Sequence, residues 1–186
     1  QVTASAIKKV RIDYCGHVSE LNVKPLTSVV LKGLLSPLLE SVNMVSAPTL
    51  ARERNIEITE TNSRTLDEFQ TLIKLTVTTE QQVRAIAGTL SHGESPRVVK
   101  IKGISMDAVL GPNMLYITNE DKPGIIGSLG TTLGEAGINI ATFNLGRNKT
   151  GGDAIALIET DGPVPAKVVQ KVRDLPLVVR VTPLTF

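Results

Sequence analysis

The residues best suited to bind a charged ligand lie together, in the sequence NEDKPGIIG at residues 119–127. Pro123 fits the first position of a helix, and Gly124 and Ile125 leave backbone N–H groups unpaired at the positive end of the helix dipole. Such an end favours a carboxylate or a phosphate. Asp121 precedes these donors and adds a negative charge. One turn of chain could therefore hold a ligand that carries both an anion and an ammonium group, as a free amino acid does.

The elements that must position this corner follow it directly. Apolar residues recur every three or four positions as far as Ala136, which predicts a helix over residues 123–136 that ends where Gly137 adopts a left-handed conformation. Alternation then predicts a strand over residues 138–145, with Asn139 at its beginning and near the sheet edge. The three helix glycines match no phosphate-binding spacing, so we expect close helix packing instead; they are Gly124, Gly127 and Gly130.

The last 75 residues show the element order of a ferredoxin-like fold. The pattern predicts strand, helix, strand, strand, helix and strand at residues 114–118, 123–136, 138–145, 153–159, 165–173 and 177–184. The second strand of this topology lies at a sheet edge, yet residues 138–146 contain no charged residue or proline to protect it. We therefore expect residues 138–145 to pair with the same strand of a second copy, in a dimer or tetramer. Asn139 of one copy would then lie near residues 121–125 of the other.

The first part of the chain has an α+β pattern. Helical periodicity predicts a helix over residues 26–42, which Pro37 bends or restarts, and a shorter helix over residues 46–54. Alternation predicts strands over residues 6–14, 56–61, 69–78, 82–90 and 98–104. These elements indicate helices on one face of a mainly antiparallel sheet. Gly111-Pro112 is the predicted boundary, which divides the chain into domains of residues 1–111 and 112–186.

Composition excludes several function classes. With 20 basic and 18 acidic residues, the net charge of +2 is too small and too dispersed to predict a nucleic-acid surface. A single cysteine, Cys15, cannot form an internal disulfide, and no apolar run is long enough to span a membrane, so we expect a cytoplasmic protein. His17 and His92 are isolated, which predicts no metal site. Because the pattern of a folded strand begins almost at Gln1, we expect a fragment of a longer protein.

Two stretches resemble known domains. The sequence from MLYIT at residues 114–118 through residue 144 resembles the ACT domain, the small ligand-sensing module of amino-acid metabolism. VNMVSAPTLARERNIEI at residues 42–58 and Gly88-Thr89-Leu90 resemble the intervening domain of long-form D-3-phosphoglycerate dehydrogenases. The resemblance implies the regulatory C-terminal region of that enzyme. It also implies that the catalytic residues and the NAD cofactor belong to a part of the protein outside these residues.

The resemblance also implies a ligand and its contacts. In that family, L-serine binds between two ACT domains as a feedback inhibitor. Asn139 matches the family asparagine that contacts serine, and Asp121 matches a position that is Asn or Asp among relatives. The sequence departs from the family at Asn119, where relatives have His or Tyr, and at Lys122, where Arg is more common. The implied serine site therefore comprises Asn119, Asp121, Lys122, Pro123, Gly124, Ile125, Asn139 and Ile140.

The first domain of that family is associated with an anion site that modulates activity. Arg97 stands where relatives have a basic residue, but two later positions that can carry arginine are Ile104 and Val109. Lys100 and Lys102, expected on one strand face, could substitute for them. Basic residues on an exposed strand face are more often plain surface residues.

Two other functions remain open at this point. The same domain pairing could regulate an iron–sulfur L-serine dehydratase, in which the ACT domain senses serine for a lyase. Alternatively, the ACT pair could serve only to assemble an oligomer. Nothing in these residues forms a catalytic constellation.

Overall fold

The structure is a computed structural model, and it describes residues 6–65, 68–91 and 95–186. By its internal contacts the chain divides into two compact units, Gln1–Pro96 and Arg97–Phe186. The predicted α+β class is confirmed, since each unit combines helices with mainly antiparallel strands. The placement of the domain boundary at Gly111-Pro112 stays a prediction.

The first unit packs two helices on a sheet in which the strand order is β2-β1-β3-β4. Its elements are β1 (Ile7–Gly16), a 3-10 helix (His17–Glu20), α1 (Lys24–Leu35), α2 (Ala47–Glu53), β2 (Glu57–Ser63), β3 (Thr71–Thr79) and β4 (Val83–Ser91). Strand β1 pairs in parallel with β2 and antiparallel with β3. Its alternate residues Val10, Ile12 and Tyr14 are buried in the core with Leu31 and Leu35 of α1.

Helix α1 is shorter than the predicted helix of residues 26–42. It ends at Leu35, with Ser36 as its C-cap, and turns replace the helix after that point. Pro37 explains the difference, because proline has no N–H for the next helical bond and restricts the residue before it. The short helix predicted at residues 46–54 is confirmed as α2.

The second unit contains a β-hairpin followed by the predicted βαββαβ order. Its elements are β5 (Ser95–Ile101), β6 (Ile104–Ala108), β7 (Asn113–Glu120), α3 (Ile125–Glu135), β8 (Ile140–Arg147), β9 (Asp153–Thr160), α4 (Ala166–Arg173) and β10 (Val178–Thr185). The four-stranded sheet has the order β10-β7-β9-β8, all antiparallel. Strand β8 therefore lies at an edge, as its position in the topology predicted.

The single strand predicted over residues 98–104 is wrong. The chain reverses at Lys102 and Gly103, which have φ angles of 50° and 81°, and β5 then pairs with β6. Two successive left-handed residues form the tight hairpin turn that suits the twist of antiparallel strands. The usual Asn-Gly or Asp-Gly signal is absent, because the first position of this turn is a lysine.

Helices α3 and α4 cover one face of the four-stranded sheet. Leu129 and Leu133 of α3 are 1% and 0% exposed and pack on alternate residues of the central strands. On β7 these alternate residues are Leu115 and Ile117. Residues at every second position point to the same face, so Asn119, the next in this series, also points toward the helices.

The opposite face of this sheet is also buried, and β6 lies against β8 there. A Cβ atom added to Gly146 of β8 would lie 2.4 Å from the backbone oxygen of Ser105 and 2.8 Å from Cγ2 of Ile104. Gly146 pairs with Ile155, which is 1% exposed and shares this face. The absence of a side chain at residue 146 is therefore what permits the close approach of β6.

The glycines of α3 do not have the packing role that we expected. A Cβ atom added to Gly127 or Gly130 would meet no atom within 4 Å, so close contact with a neighbouring element does not explain them. Gly137, with a φ of 72°, takes the predicted left-handed conformation after the helix. The N–H of Ile138 then donates to the carbonyl of Leu133 at 3.0 Å, which closes the helix end.

In the described residues, none of the helices is both long enough and apolar enough to span a membrane.

Candidate functional site

In the corner between β7 and α3, the helix begins two residues later than predicted. Gly124 has a φ of 97° and acts as the N-cap, so the helix begins at Ile125 and Pro123 lies outside it. The placement of Pro123 at the first helical position is thus wrong, because the left-handed backbone of Gly124 interrupts the helix between them. Ser128 donates the first intrahelical bond, to the carbonyl of Gly124 at 2.9 Å. The N–H groups before Ser128 in the helix are those that a helix leaves unpaired at its N-terminus.

Asp121 is held by the turn between β8 and β9. Its Oδ2 atom accepts hydrogen bonds from Nη1 of Arg147 at 2.9 Å and from the backbone N–H of Gly151 at 3.1 Å. Its own N–H donates to the carbonyl of Gly152 at 2.8 Å. The Arg147 hydrogen bond, helped by the one from Gly151, holds the pKa of the Asp121 carboxyl below its usual value. Asp121 therefore stays ionised to lower pH than an isolated aspartate.

Asn119 is the most buried polar side chain of the corner. It is 2% exposed, and its Nδ2 donates to the carbonyl of Glu120 at 2.9 Å. Its Oδ1 is buried and has no hydrogen-bond partner among the described residues. A buried acceptor without a partner costs about 1–3 kcal/mol, so this oxygen is well suited to accept a donor from a ligand.

The side chain of Lys122 makes a surface contact, an ion pair with Glu120 in which both side chains are about half exposed. Pairs of this kind contribute roughly 0–1 kcal/mol in water. Lys122 can therefore exchange its partner for a ligand at little cost.

Asn139 and Ile140 lie at the other end of the sheet in the same chain. Ile140 pairs with Thr160 at the end of β9, whereas Asn119 pairs with Ala154 near its beginning. At about 3.3 Å per residue these positions are roughly 20 Å apart. One chain therefore brings together Asn119 and residues 121–125, but not these residues with Asn139.

The side chain of Asn139 is oriented by Asp161. Nδ2 of Asn139 donates to Oδ2 of Asp161 at 2.8 Å. This bond uses one of the two N–H groups of the amide and fixes its orientation, so Asn139 can offer its amide oxygen as an acceptor and its second N–H as a donor to a ligand.

Sequence reasoning missed three groups at these two places: Arg147, the Gly151 N–H and Asp161. The sequence offered one weak signal for Arg147, namely that it is the only charged residue of β8. Its place at the end of that strand made it look like an ordinary surface residue. Its contact with Asp121 joins residues 26 positions apart in the chain. No local pattern predicts such a pair.

The basic residues of the predicted anion site do not form one strand face. Arg97 on β5 pairs with Asp107 on β6, with 3.0 Å between Nη1 and Oδ1. Lys100 is exposed on β5, whereas Lys102 lies in the hairpin turn with its φ of 50°. The expectation that Lys100 and Lys102 share a strand face is therefore wrong, and the anion site stays a prediction.

Among the described residues, no three His, Cys, Asp or Glu side chains come together as a metal site would require. His92 lies outside the described residues.

Two family models match this chain. Residues 1–102 match the D-3-phosphoglycerate dehydrogenase intervening domain, and residues 113–177 match the ACT domain. Strand β6 and the segment that leads to β7 lie between the two matches.

Curated relatives match nearly the whole chain. The D-3-phosphoglycerate dehydrogenase of Methanocaldococcus jannaschii is 32% identical over 177 residues, which cover 95% of this chain and 33% of the relative. The protein of the same name from Bacillus subtilis is 31% identical over 97% of this chain and 35% of the relative. That of Archaeoglobus fulgidus is 33% identical over 91% and 33%. The chain spans about a third of the length of these relatives.

Proposed function

Because this chain belongs to the family of the D-3-phosphoglycerate dehydrogenase intervening domain and carries an ACT domain after it, we propose that it is the regulatory region of such a dehydrogenase. Two ACT domains pair through β8, and L-serine binds in the seam between them. The catalytic part, which uses NAD to oxidise 3-phosphoglycerate, lies in the remaining two thirds of the protein. Serine then inhibits the pathway that makes it.

The observation that carries this proposal is the sheet order. Strand β8 is an edge strand, with Ala141 and Thr142 exposed. In an antiparallel pair of β8 strands, the start of one strand lies beside the end of the other. This pairing would bring Asn139 of one copy to the Arg147 end of its partner, where Asp121 and Asn119 lie. Residues that one chain keeps roughly 20 Å apart would thus form one site.

The groups at this seam fit a free amino acid. The unpaired N–H groups of α3 and the dipole of the helix favour the ligand carboxylate. Oxygen acceptors for the ammonium and hydroxyl groups come from Asp121, Asn119 and, across the seam, the Asn139 amide. The buried Oδ1 of Asn119 supports this assignment most directly, since it has no partner among the described residues.

Feedback through this site requires two states of the dimer. Serine can shift the equilibrium between these states only if it binds one of them more tightly than the other. By thermodynamic linkage, a ligand of the catalytic part that favours one state must then change the affinity for serine. A ligand that contacts both chains meets this requirement, because its affinity depends on how the two sheets are aligned.

Titration calorimetry of the 186-residue chain with L-serine tests the proposal, with glycine and L-alanine as controls for the hydroxyl group and side chain. We expect L-serine at millimolar or lower concentration to give a measurable heat of binding and to raise the melting temperature of the chain. If neither is found with any of the three ligands, the sensing function is rejected, and an ACT pair that only builds an oligomer remains.

The relatives are named D-3-phosphoglycerate dehydrogenase, which favours a dehydrogenase over an L-serine dehydratase as the enzyme that this region regulates.

Asn139→Ala should weaken L-serine binding by about 1–3 kcal/mol, since the ligand would lose a polar partner that the seam between the two copies would bury. Calorimetry measures the change directly. Asn22→Ala is the control, because Asn22 is an exposed asparagine of the first unit whose Oδ1 accepts from the nearby Lys24 N–H at 3.3 Å. Equal serine affinity in Asn139→Ala and the wild type would remove Asn139 from the site.

A further inference from the structure

The corner that carries the proposed site is tied to the end of the edge strand. Arg147, the last residue of β8, and the Gly151 N–H both bond to Oδ2 of Asp121, at 2.9 and 3.1 Å. The Asp121 N–H bonds to the Gly152 carbonyl at 2.8 Å. Three hydrogen bonds therefore fix both the backbone and the carboxylate of Asp121 against the β8–β9 turn.

The two oxygens of the Asp121 carboxylate differ in their hydrogen bonds. Oδ2 accepts both donors, whereas the described residues provide no hydrogen bond to Oδ1. The Asp121 side chain is only 16% exposed, so it has little freedom to choose another orientation. A carboxylate that is held by one oxygen presents the other in a constant direction.

We propose that Arg147 is a positioning residue of the amino-acid site: by holding Oδ2 of Asp121, it directs Oδ1 toward the ammonium group of the ligand. The inference rests on the proposed function and assigns a role to a residue outside the predicted site. It also places one contact of the site on the edge strand through which the two copies pair.

The gain in ligand affinity from orienting Asp121 should be larger than the loss from the positive charge of the Arg147 guanidinium. An arginine near the site repels an ammonium group, but the Arg147 side chain is 56% exposed, so water and salt screen this repulsion. The orientation that the Arg147 hydrogen bond gives to the Asp121 carboxylate is not weakened by this screening. Without Arg147, only the Gly151 N–H would hold Oδ2, so the carboxylate would lose part of its order; restoring that order when the ligand binds would lower the affinity.

Calorimetry with L-serine on the 186-residue chain separates these effects in three variants. Arg147→Gln should bind serine roughly ten- to a hundredfold more weakly at pH 7, the scale for losing a hydrogen bond to a charged group. Arg147→Lys keeps the charge and one donor, so it should recover part of the loss. Lys149→Gln removes a positive charge from the same turn without touching Asp121, so it should bind as the wild type does.

The pH dependence provides a readout that a merely structural role would not change. Serine binding should fall on acidification as Asp121 is protonated. Arg147→Gln removes the main group that lowers the pKa of Asp121, so binding should be lost at a higher pH than in the wild type. The charged groups on the segments beside Asp121 are the same in both proteins: Glu120 and Lys122 in the corner, Lys149 in the β8–β9 turn, and Asp153, which pairs with Glu120.

Two results would overturn the positioning role while the proposed function stands. One is serine affinity in Arg147→Gln equal to that of the wild type; the other is weaker binding with an unchanged pH dependence. If the wild type itself takes up none of the three amino acids, the proposed function fails and this inference fails with it.

Discussion

Replacing Ala141 with lysine is expected to separate the dimer into monomers and to abolish L-serine binding. Ala141 is exposed on β8, and this strand has no charge before Arg147. In the proposed two-fold pair, each copy would bring one new lysine into the seam, where it finds no anion on the edge strand. An unpaired charge that is buried costs on the order of 3 kcal/mol, or about a hundredfold in the dimer dissociation constant. Sedimentation velocity measures this constant.

Val179→Lys is the matched control for this experiment. Val179 lies on β10, which forms the opposite edge of the same sheet, and it is 69% exposed. The same charge at this edge should leave both the dimer and serine binding unchanged. If Ala141→Lys stays dimeric while Val179→Lys dissociates, the pairing edge is β10, and the site proposed at the β8 seam is wrong.

The second large effect is expected from a single methyl group at Gly146. Gly146→Ala places a Cβ atom 2.4 Å from a backbone oxygen, that of Ser105, which cannot rotate out of the way as a side chain would. Either β6 or β8 has to move, and the free energy of unfolding should fall by about 2–3 kcal/mol. Chemical denaturation gives this value, and hydrogen exchange of the amides in Ile104–Ala108 shows whether β6 is the element that separates.

Gly130→Ala adds the same methyl group and should have the opposite effect. An added Cβ atom at Gly130 meets no atom within 4 Å, and alanine is preferred to glycine inside a helix by about 1 kcal/mol. We therefore expect Gly130→Ala to stabilise the chain slightly. Unchanged stability of Gly146→Ala would mean that β6 does not lie against β8 at this point.

Much of the second unit could be predicted because its elements have strong local signals. The apolar stripe of α3, the alternation of β8 and the left-handed glycine at residue 137 depend on neighbours within one or two turns of chain. The edge position of β8 followed from the element order, since the ferredoxin-like topology has few alternatives. The end of α1 before Pro37 was misplaced only because the helical spacing of apolar residues continues beyond the proline.

The candidate site was only partly predictable. Residues 119–125 form one corner because they are consecutive, so composition and spacing could indicate them. The start of α3 at Ile125 depended on the backbone conformation of Gly124, which a sequence pattern does not specify. The bonds from Arg147 and Gly151 to Asp121 depended on the β8–β9 turn folding back on the end of β7.

The sequence by itself determined the order of strands and helices from β7 to β10, the apolar faces that bury them and the polar corner before α3, because each of these depends on residues close together in the chain. Only the tertiary structure decided that Asp121 is bound by Arg147, that the amide oxygen of Asn119 is buried with no partner in the described part of the chain, and that β6 lies against Gly146. The physical reason is that these contacts join strands whose register and packing are set by the whole sheet, so no single segment contains the information.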